Sequence, residues 1–198
     1  FANNLILTKN NDLIISGHNK NQLFVAKLNE EGNVLWQYNY KDDKKYHRSY
    51  DIKETKDGGF VVVGNTTDTK DNSYDILVVK LSKNGNMEWV KSIGNNTNEV
   101  AYDIEINEKY EYIVSGHALV DKVNHIYNSF IIKMDIYGNK ILRNDFKNSS
   151  NKLYDLTLDY SENSDTLNYI GTGNIFDRPN KESSIWFIKI DESSLKIN

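Results

Sequence analysis

Four marks recur along this chain in one fixed order, and they constrain its fold more than any other feature. A glycine follows an apolar run in "IISGHN", "VVVGNT", "IVSGHA" and "YIGTGN", at Gly17, Gly64, Gly116 and Gly173. A lysine closes the next apolar run in "FVAKLN", "LVVKLS", "FIIKMD" and "WFIKID", at Lys27, Lys80, Lys133 and Lys189. Tyr-Asp pairs stand at Tyr50-Asp51, Tyr102-Asp103 and Tyr154-Asp155, and Gly-Asn pairs at Gly32-Asn33, Gly85-Asn86 and Gly138-Asn139. A period of about 50 residues marks a supersecondary unit that buries its apolar faces by stacking on its neighbours.

Each unit holds four short strand-like runs. In the second they are "SYDIKET", "GFVVVGNT", "YDILVVKL" and "NMEWVKSI". Lys56-Asp57-Gly58-Gly59 and Asn84-Gly85-Asn86 are hairpin signals, because glycine supplies the positive φ of tight turns. A strand with one wet face alternates apolar and polar residues. Val61-Val62-Val63, Ile76-Leu77-Val78-Val79 and Phe130-Ile131-Ile132 are instead apolar on both faces. Such sheets must lie between two others, which a two-sheet sandwich does not provide. The expected fold is all-β: a β-propeller of four-stranded antiparallel blades, about 1–45, 46–96, 97–148 and 149–198, within one partial propeller domain.

The ends bear on assembly. Stacked repeats that stop need polar caps. Leu13-Ile14-Ile15 in the first unit and Ile185-Trp186-Phe187-Ile188 in the last are not caps. The fourth unit lacks the Gly-Asn turn and last strand of the others. The chain starts at Phe1 rather than Met, as a processed product or a piece of a longer protein does. The expectation is part of a larger ring or half of a dimeric one, with self-association or a neighbouring chain closing the ring.

The phrase "DGGFVVVGNT…YDILVVKLSKNGNMEWVKSIG" resembles a repeat of prokaryotic β-propeller proteins, many of them exported. The likeness covers the whole chain as four copies, best over Asp51–Gly94. The first copy has Asn10-Asn11-Asp12 in place of Asp-Gly-Gly. The third has Leu142 where Trp36 and Trp89 stand, and those tryptophans are read as packing between blades. The resemblance implies a propeller fold in an extracellular, periplasmic or cell-surface setting, and no particular activity. The ending "KLNEEGNVLW" is also similar to the blade ending of quinone-cofactor propellers. It holds in half the blades only, and no cofactor is expected.

Composition narrows the function. A net charge of −4 with interspersed lysines and acids lacks the basic footprint of a nucleic-acid binder. No apolar run approaches the ~20 residues of a membrane-spanning helix. There is no cysteine, hence no disulfide or thiolate metal site. The excess of Asn, Lys, Ile and Tyr over Ala, Arg and Pro points to an AT-rich, bacterial genome.

Candidate site residues gather at one rim. His18, Asn65, His117 and Asn174 all follow the repeat glycine, where the second strand runs into the loop toward the third. Tyr46, His47 and Arg48 lie in the first connection between blades. Tyr74, His125 and Tyr127 belong to "TTDTKDNSYD" and "ALVDKVNHIYN", which with "NIFDRPNKESS" are dissimilar loops on a regular scaffold, the usual seat of specificity. The same rim side chains can also satisfy loop backbone groups.

Other constellations are weaker. Ser16 with His18 and Ser115 with His117 share a strand face, but no nucleophile elbow or orienting acid accompanies them. His117, Asp121 and His125 fit no standard zinc spacing, and no metal is expected. Asp51, Asp103 and Asp155 read as acceptors for backbone N–H groups rather than as a cation site, since their exact recurrence suits a structural role. The expected function is a non-catalytic binding or scaffold module for a protein or glycan ligand. The alternatives are a hydrolase- or lyase-type enzyme with an axial site, and a structural part of a cell-surface or extracellular assembly.

Overall fold

The computed structural model describes residues 1–42, 44–68, 72–94, 97–147, 150–159, 168–177 and 182–197. Among these residues the chain is all-β, with four antiparallel sheets and no helix. No helix is long and apolar enough to cross a membrane among them. Two compact units divide the chain, Phe1–Ile104 and Glu105–Asn198.

The first sheet runs in sequence order through β1 (Ala2–Leu7), β2 (Leu13–Asn19), β3 (Gln22–Leu28) and β4 (Val34–Tyr40). The second runs through β5 (Lys45–Glu54), β6 (Phe60–Asp68), β7 (Tyr74–Leu81) and β8 (Met87–Ile93). The third holds β9 (Asn98–Ile106), β10 (Tyr112–Asp121), β11 (Ile126–Met134) and β12 (Lys140–Phe146). The fourth has three strands, β13 (Ser150–Asp159), β14 (Asn168–Asp177) and β15 (Glu182–Asp191). Beside β15 the chain returns through a single bridge, Ile190 to Ile197. Each sheet thus uses one sequence repeat.

In the first unit, Ile14, Leu23 and Val25 of the first sheet pack on Ile52, Phe60, Leu77, Val79 and Leu81 of the second. In the second unit, Ile113, Ile131 and Phe146 pack on Leu153, Leu156, Tyr169, Ile188 and Ile190. Strands β6 and β7 are buried on both faces, as their unbroken apolar runs require.

The recurring marks turn out to be parts of two devices. The first is a β-bulge opposite the repeat glycine. Ser49 pairs with Gly64 and Asp51 with Val63, which leaves Tyr50 as the extra residue. Leu153 and Asp155 flank Tyr154 in the same way opposite Gly173. The bulge presses the Arg48 carbonyl against Gly64 and the Lys152 carbonyl against Gly173, into the space a Cβ would fill. The first sheet has the same bulge between Ala2 and Asn4 opposite Gly17, with Asn3-Asn4 in place of Tyr-Asp, so the bulge calls for the glycine and accepts either pair. The aspartate then ties strands: buried Asp51 accepts from the Asn4 amide and from the Ile104 N–H at 3.1 Å.

The second device is an ion pair. Lys80 Nζ is almost completely buried and donates to Asp57 at 3.0 Å, Glu88 at 3.0 Å and the Leu81 carbonyl at 3.1 Å, which uses its three protons. Lys27 pairs with Asp12 at 2.7 Å, Lys189 with Asp159 at 2.8 Å, and Lys133 with Glu111 at 3.8 Å. The repeat lysine is thus neutralised by an acid at the hairpin between the first two strands of its own sheet.

Burial opposes ionisation of Asp57. Hydrogen bonds from Thr55, Lys80 and the Gly59 N–H outweigh it and hold the carboxyl at about 2. A folded value below the unfolded one of ~3.9 gives stability that is present above pH ~4 and lost as pH falls through 2. Asp57→Ala is expected to cost about 1 kcal/mol at pH 7, a modest figure because the carboxylate is half exposed, and close to nothing at pH 2. Urea unfolding at the two pH values measures both.

Trp36 explains a third mark. Its indole N–H donates to the Lys83 carbonyl at 3.2 Å, and its ring lies 2.6 Å from where a Gly85 Cβ would sit. Gly85 has φ +78°, so the turn between β7 and β8 needs glycine for its backbone and for the tryptophan beneath it.

Candidate functional site

The four residues that follow the repeat glycine do not share one environment. Asn65 and His117 are buried, His18 is half-buried and Asn174 is exposed. Asn65 donates to Thr67 Oγ1 at 3.1 Å, which ties it to its own strand. His18 stacks on Phe1 with ring centroids 5.1 Å apart and approaches the Asn3 amide at 3.5 Å. Burial, with the Arg48 charge next, lowers its pKa.

Tyr46, His47 and Arg48 lie inside β5, which starts at Lys45, rather than in a connection. Alternation along that strand turns Tyr46 and Arg48 outward and His47 inward. His47 is 1% exposed and packs on Tyr40 at 4.6 Å between ring centroids. Desolvation lowers its pKa. His47 therefore belongs to the interior of the first unit and not to an accessible rim. Tyr74 begins β7 and is half-buried.

The second unit gathers the remaining candidates. An open pocket of about 450 Å³ is lined by the aromatic side chains Tyr127, Tyr154 and Phe176. Asn124, His125, Asn174, Ser150 and Ser183 add amide, imidazole and hydroxyl groups, and among the described residues Lys152 is the lysine of the lining. Lys152 Nζ sits 3.9 Å from the Tyr127 ring centroid, a cation–π contact. Burial lowers the Lys152 pKa, and burial, with Tyr127 next, raises that of Tyr154. His117 lies edge-on to Tyr127 at 5.2 Å and to Tyr154 at 6.0 Å. Burial, then the Lys152 charge, bring its pKa down to about 3. At neutral pH the imidazole of His117, which lies against Tyr127 and Tyr154, is thus uncharged.

Local structure fixes these groups. β11 carries Tyr127, whose backbone N–H donates to Ser150 Oγ at 3.2 Å. The bulge in β13 turns Tyr154 out beside Lys152, and β14 presents Asn174 opposite Lys152. The turn before β11 is held by Asp121, which accepts from the Val123 and Asn124 N–H groups and the Asn124 amide, each at 2.8–2.9 Å. His125 stands at its exposed end with φ 51°.

His125, Tyr127 and Asn174 are thus brought together, with His117 behind them. Lys152, Tyr154 and Phe176 complete the pocket, and reasoning from the sequence does not single them out. Lys152 carries a usable signal: it precedes its Tyr-Asp pair by two residues, as Arg48 does. Parts of two specificity loops, residues 69–71 and 178–181, lie outside the described residues.

The catalytic alternatives gain nothing from the geometry. Ser16 and Ser115 are fully buried, and neither hydroxyl hydrogen-bonds its histidine. Among the described residues no three His, Cys, Asp or Glu side chains are placed to hold a metal ion. No protein-family model matches the sequence and no curated protein is similar to it, so a functional reading rests on these residues alone.

Proposed function

We propose that this chain is a binding module of the β-propeller type that holds a glycan in the pocket between β11, β13 and β14. One observation carries the reading: aromatic faces, side-chain amides, hydroxyls and a single lysine converge on one open cavity. A sugar ring offers C–H faces to aromatic side chains and hydroxyls to amides, and it fits such a mixed lining. The Lys152 cation favours a glycan bearing an acidic group. The repeat marks and the succession of antiparallel sheets support the propeller reading. A glycan-binding module belongs at the cell surface or outside it.

The test is a panel of neutral and acidic oligosaccharides, followed by calorimetry on those retained. Acidic members are expected to bind. Tyr127→Ala and Lys152→Ala are each expected to weaken them about tenfold or more, with the Lys152 effect shrinking at high salt. Retention of a peptide and no sugar would transfer the site to a protein ligand. Equal binding by the Tyr127→Ala variant would remove the pocket from the function.

A further inference from the structure

The groups around the pocket sit at repeat positions, and the first unit fills the corresponding positions with the same chemistry. Lys152 pairs across β13 and β14 with Asn174, and Leu153 with Gly173. Arg48 pairs in the same register with Asn65, and Ser49 with Gly64. Tyr154 and Tyr50 are each the extra residue of the bulge that follows. In the preceding sheet, His117 and His18 each stand directly after the repeat glycine. Strand β2 packs against β5 as β10 packs against β13. Within each unit the fold therefore brings a histidine, a cation and a bulged tyrosine to one end of two packed sheets.

Electrostatics sets the cation near the histidine in both. After burial, the Arg48 charge lowers the pKa of His18, and the Lys152 charge that of His117. The repeat lysines pair with acids, and Arg143 is held by Asp145. Among the described residues no carboxylate pairs with Arg48 or with Lys152. The Asn3 amide approaches His18 at 3.5 Å, and the Tyr50 ring lies 4.9 Å from that of Tyr102. Imidazole, amide, phenol and guanidinium thus gather in the first unit, as imidazole, amide, phenol and ammonium do in the second. The repeat does not demand this set. Val100 holds the cation's place before Tyr102-Asp103, and Asn65 stands where a histidine would follow Gly64.

We propose that the first unit carries a second site for an acidic sugar, formed by His18, Arg48 and Tyr50 at the places of His117, Lys152 and Tyr154. The choice of ligand rests on the glycan reading of the pocket, whereas the choice of residues does not. A guanidinium offers two parallel N–H donors to a carboxylate, where an ammonium acts as a point charge. Tyr127 stands six residues before its repeat lysine, and the same place before Lys27 is Asn21. The first site therefore lacks that aromatic face and leans on charge. Its affinity is expected to be lower than the pocket's and to fall more steeply with salt.

The test is a titration of the whole chain with an oligogalacturonate, followed at backbone amides by NMR. Signals of His18 and Arg48 are expected to move at higher ligand concentration than those of Tyr127 and Lys152. In a Lys152→Ala chain the His18 and Arg48 signals should still move at unchanged concentration. Arg48→Ala is expected to weaken that response about tenfold or more and to leave the pocket's response as it was. Arg48 is exposed, so circular dichroism and melting of this variant should match the parent's. Movement at Tyr127 and Lys152 with none at His18 and Arg48 overturns the second site and leaves the pocket standing. The reverse pattern keeps the second site and removes the pocket. Silence at both sets of amides rejects the two together.

Discussion

Gly64→Ala is expected to lower folding stability by roughly 3 kcal/mol or more, which for a domain of this size leaves a large unfolded fraction at 25 °C. The added methyl would lie inside the Arg48 carbonyl, a backbone atom that cannot rotate away. Relief requires that the bulge at Tyr50 flatten, which shifts the register of β5 by one residue. Every side chain from Lys45 to Ser49 would then face the wrong side of the sheet, with His47 outside and Arg48 within. Gly32→Ala is the control. Gly32 has φ +83° with nothing within 4 Å of an added Cβ, so the cost is that of the left-handed conformation alone, about 1 kcal/mol. Parallel urea titrations decide the matter. Equal losses from both substitutions would mean that the carbonyl does not press on Gly64.

The same residues show what a sequence of this kind makes legible. Strands β6, β7, β10 and β11 can be read directly, because a run such as Val61-Val62-Val63 has no solvent-tolerant face and must lie in a sheet covered twice. The turns can be read because Gly58, Gly85 and Gly138 need positive φ. Strand β5 is harder. In Lys45–Ser49 the inward positions are His47 and Ser49, and the outward ones are Tyr46 and Arg48. A polar residue facing in and an aromatic facing out erase the alternation that identifies a strand, so the segment resembles a loop. His47 then passes for an accessible ligand group although it packs on Tyr40.

The pocket is half legible for a related reason. Asn174, Tyr127 and His125 stand out as polar or aromatic residues in irregular segments. Lys152 and Tyr154 sit in a strand, and their approach to Tyr127 depends on how β13 lies against β11. Sequence spacing within a repeat says which residues occupy equivalent places, as with Arg48 and Lys152. It does not say which equivalent place faces a cavity, because that depends on the neighbouring sheet. The lysine–acid pairs are hidden likewise. Lys80 recurs with its repeat, yet its partner acid stands at a different offset in each unit, and the contact with Asp57 crosses β6 and β7 and emerges only once the register is known.

Acid is expected to destabilise the second unit well before its carboxylates titrate, and His117 is the cause. Its folded pKa is about 3, against 6.5 when exposed, because the ring is 5% exposed and lies near the Lys152 ammonium. A depressed value means that the folded state binds fewer protons than the unfolded chain between these limits. The contribution is complete above pH 6.5 and is lost as pH falls toward 3. Each tenfold change in proton affinity corresponds to about 1.4 kcal/mol, so the loss across the window reaches roughly 4 kcal/mol. Among the groups that face the imidazole are Tyr127, Tyr154 and Lys152, two phenols and an ammonium. His117→Gln keeps the size and a polar end without the titration. Its stability is expected to be lower than the parent's at pH 7 and to decline less than the parent's between pH 6.5 and 4, the remaining slope belonging to His18 and His47. Parallel slopes in urea unfolding would show that His117 protonates normally in the fold. Ligand affinity gives the complementary readout. The histidine stays neutral in the folded protein at pH 5, so a His125→Gln chain, which removes the imidazole that lines the pocket, should bind an acidic ligand in the pocket as well at pH 5 as at pH 7. Affinity that rose tenfold at pH 5 would instead place a second, protonated group beside the lysine, and the buried neutral imidazole would be the wrong description of His117.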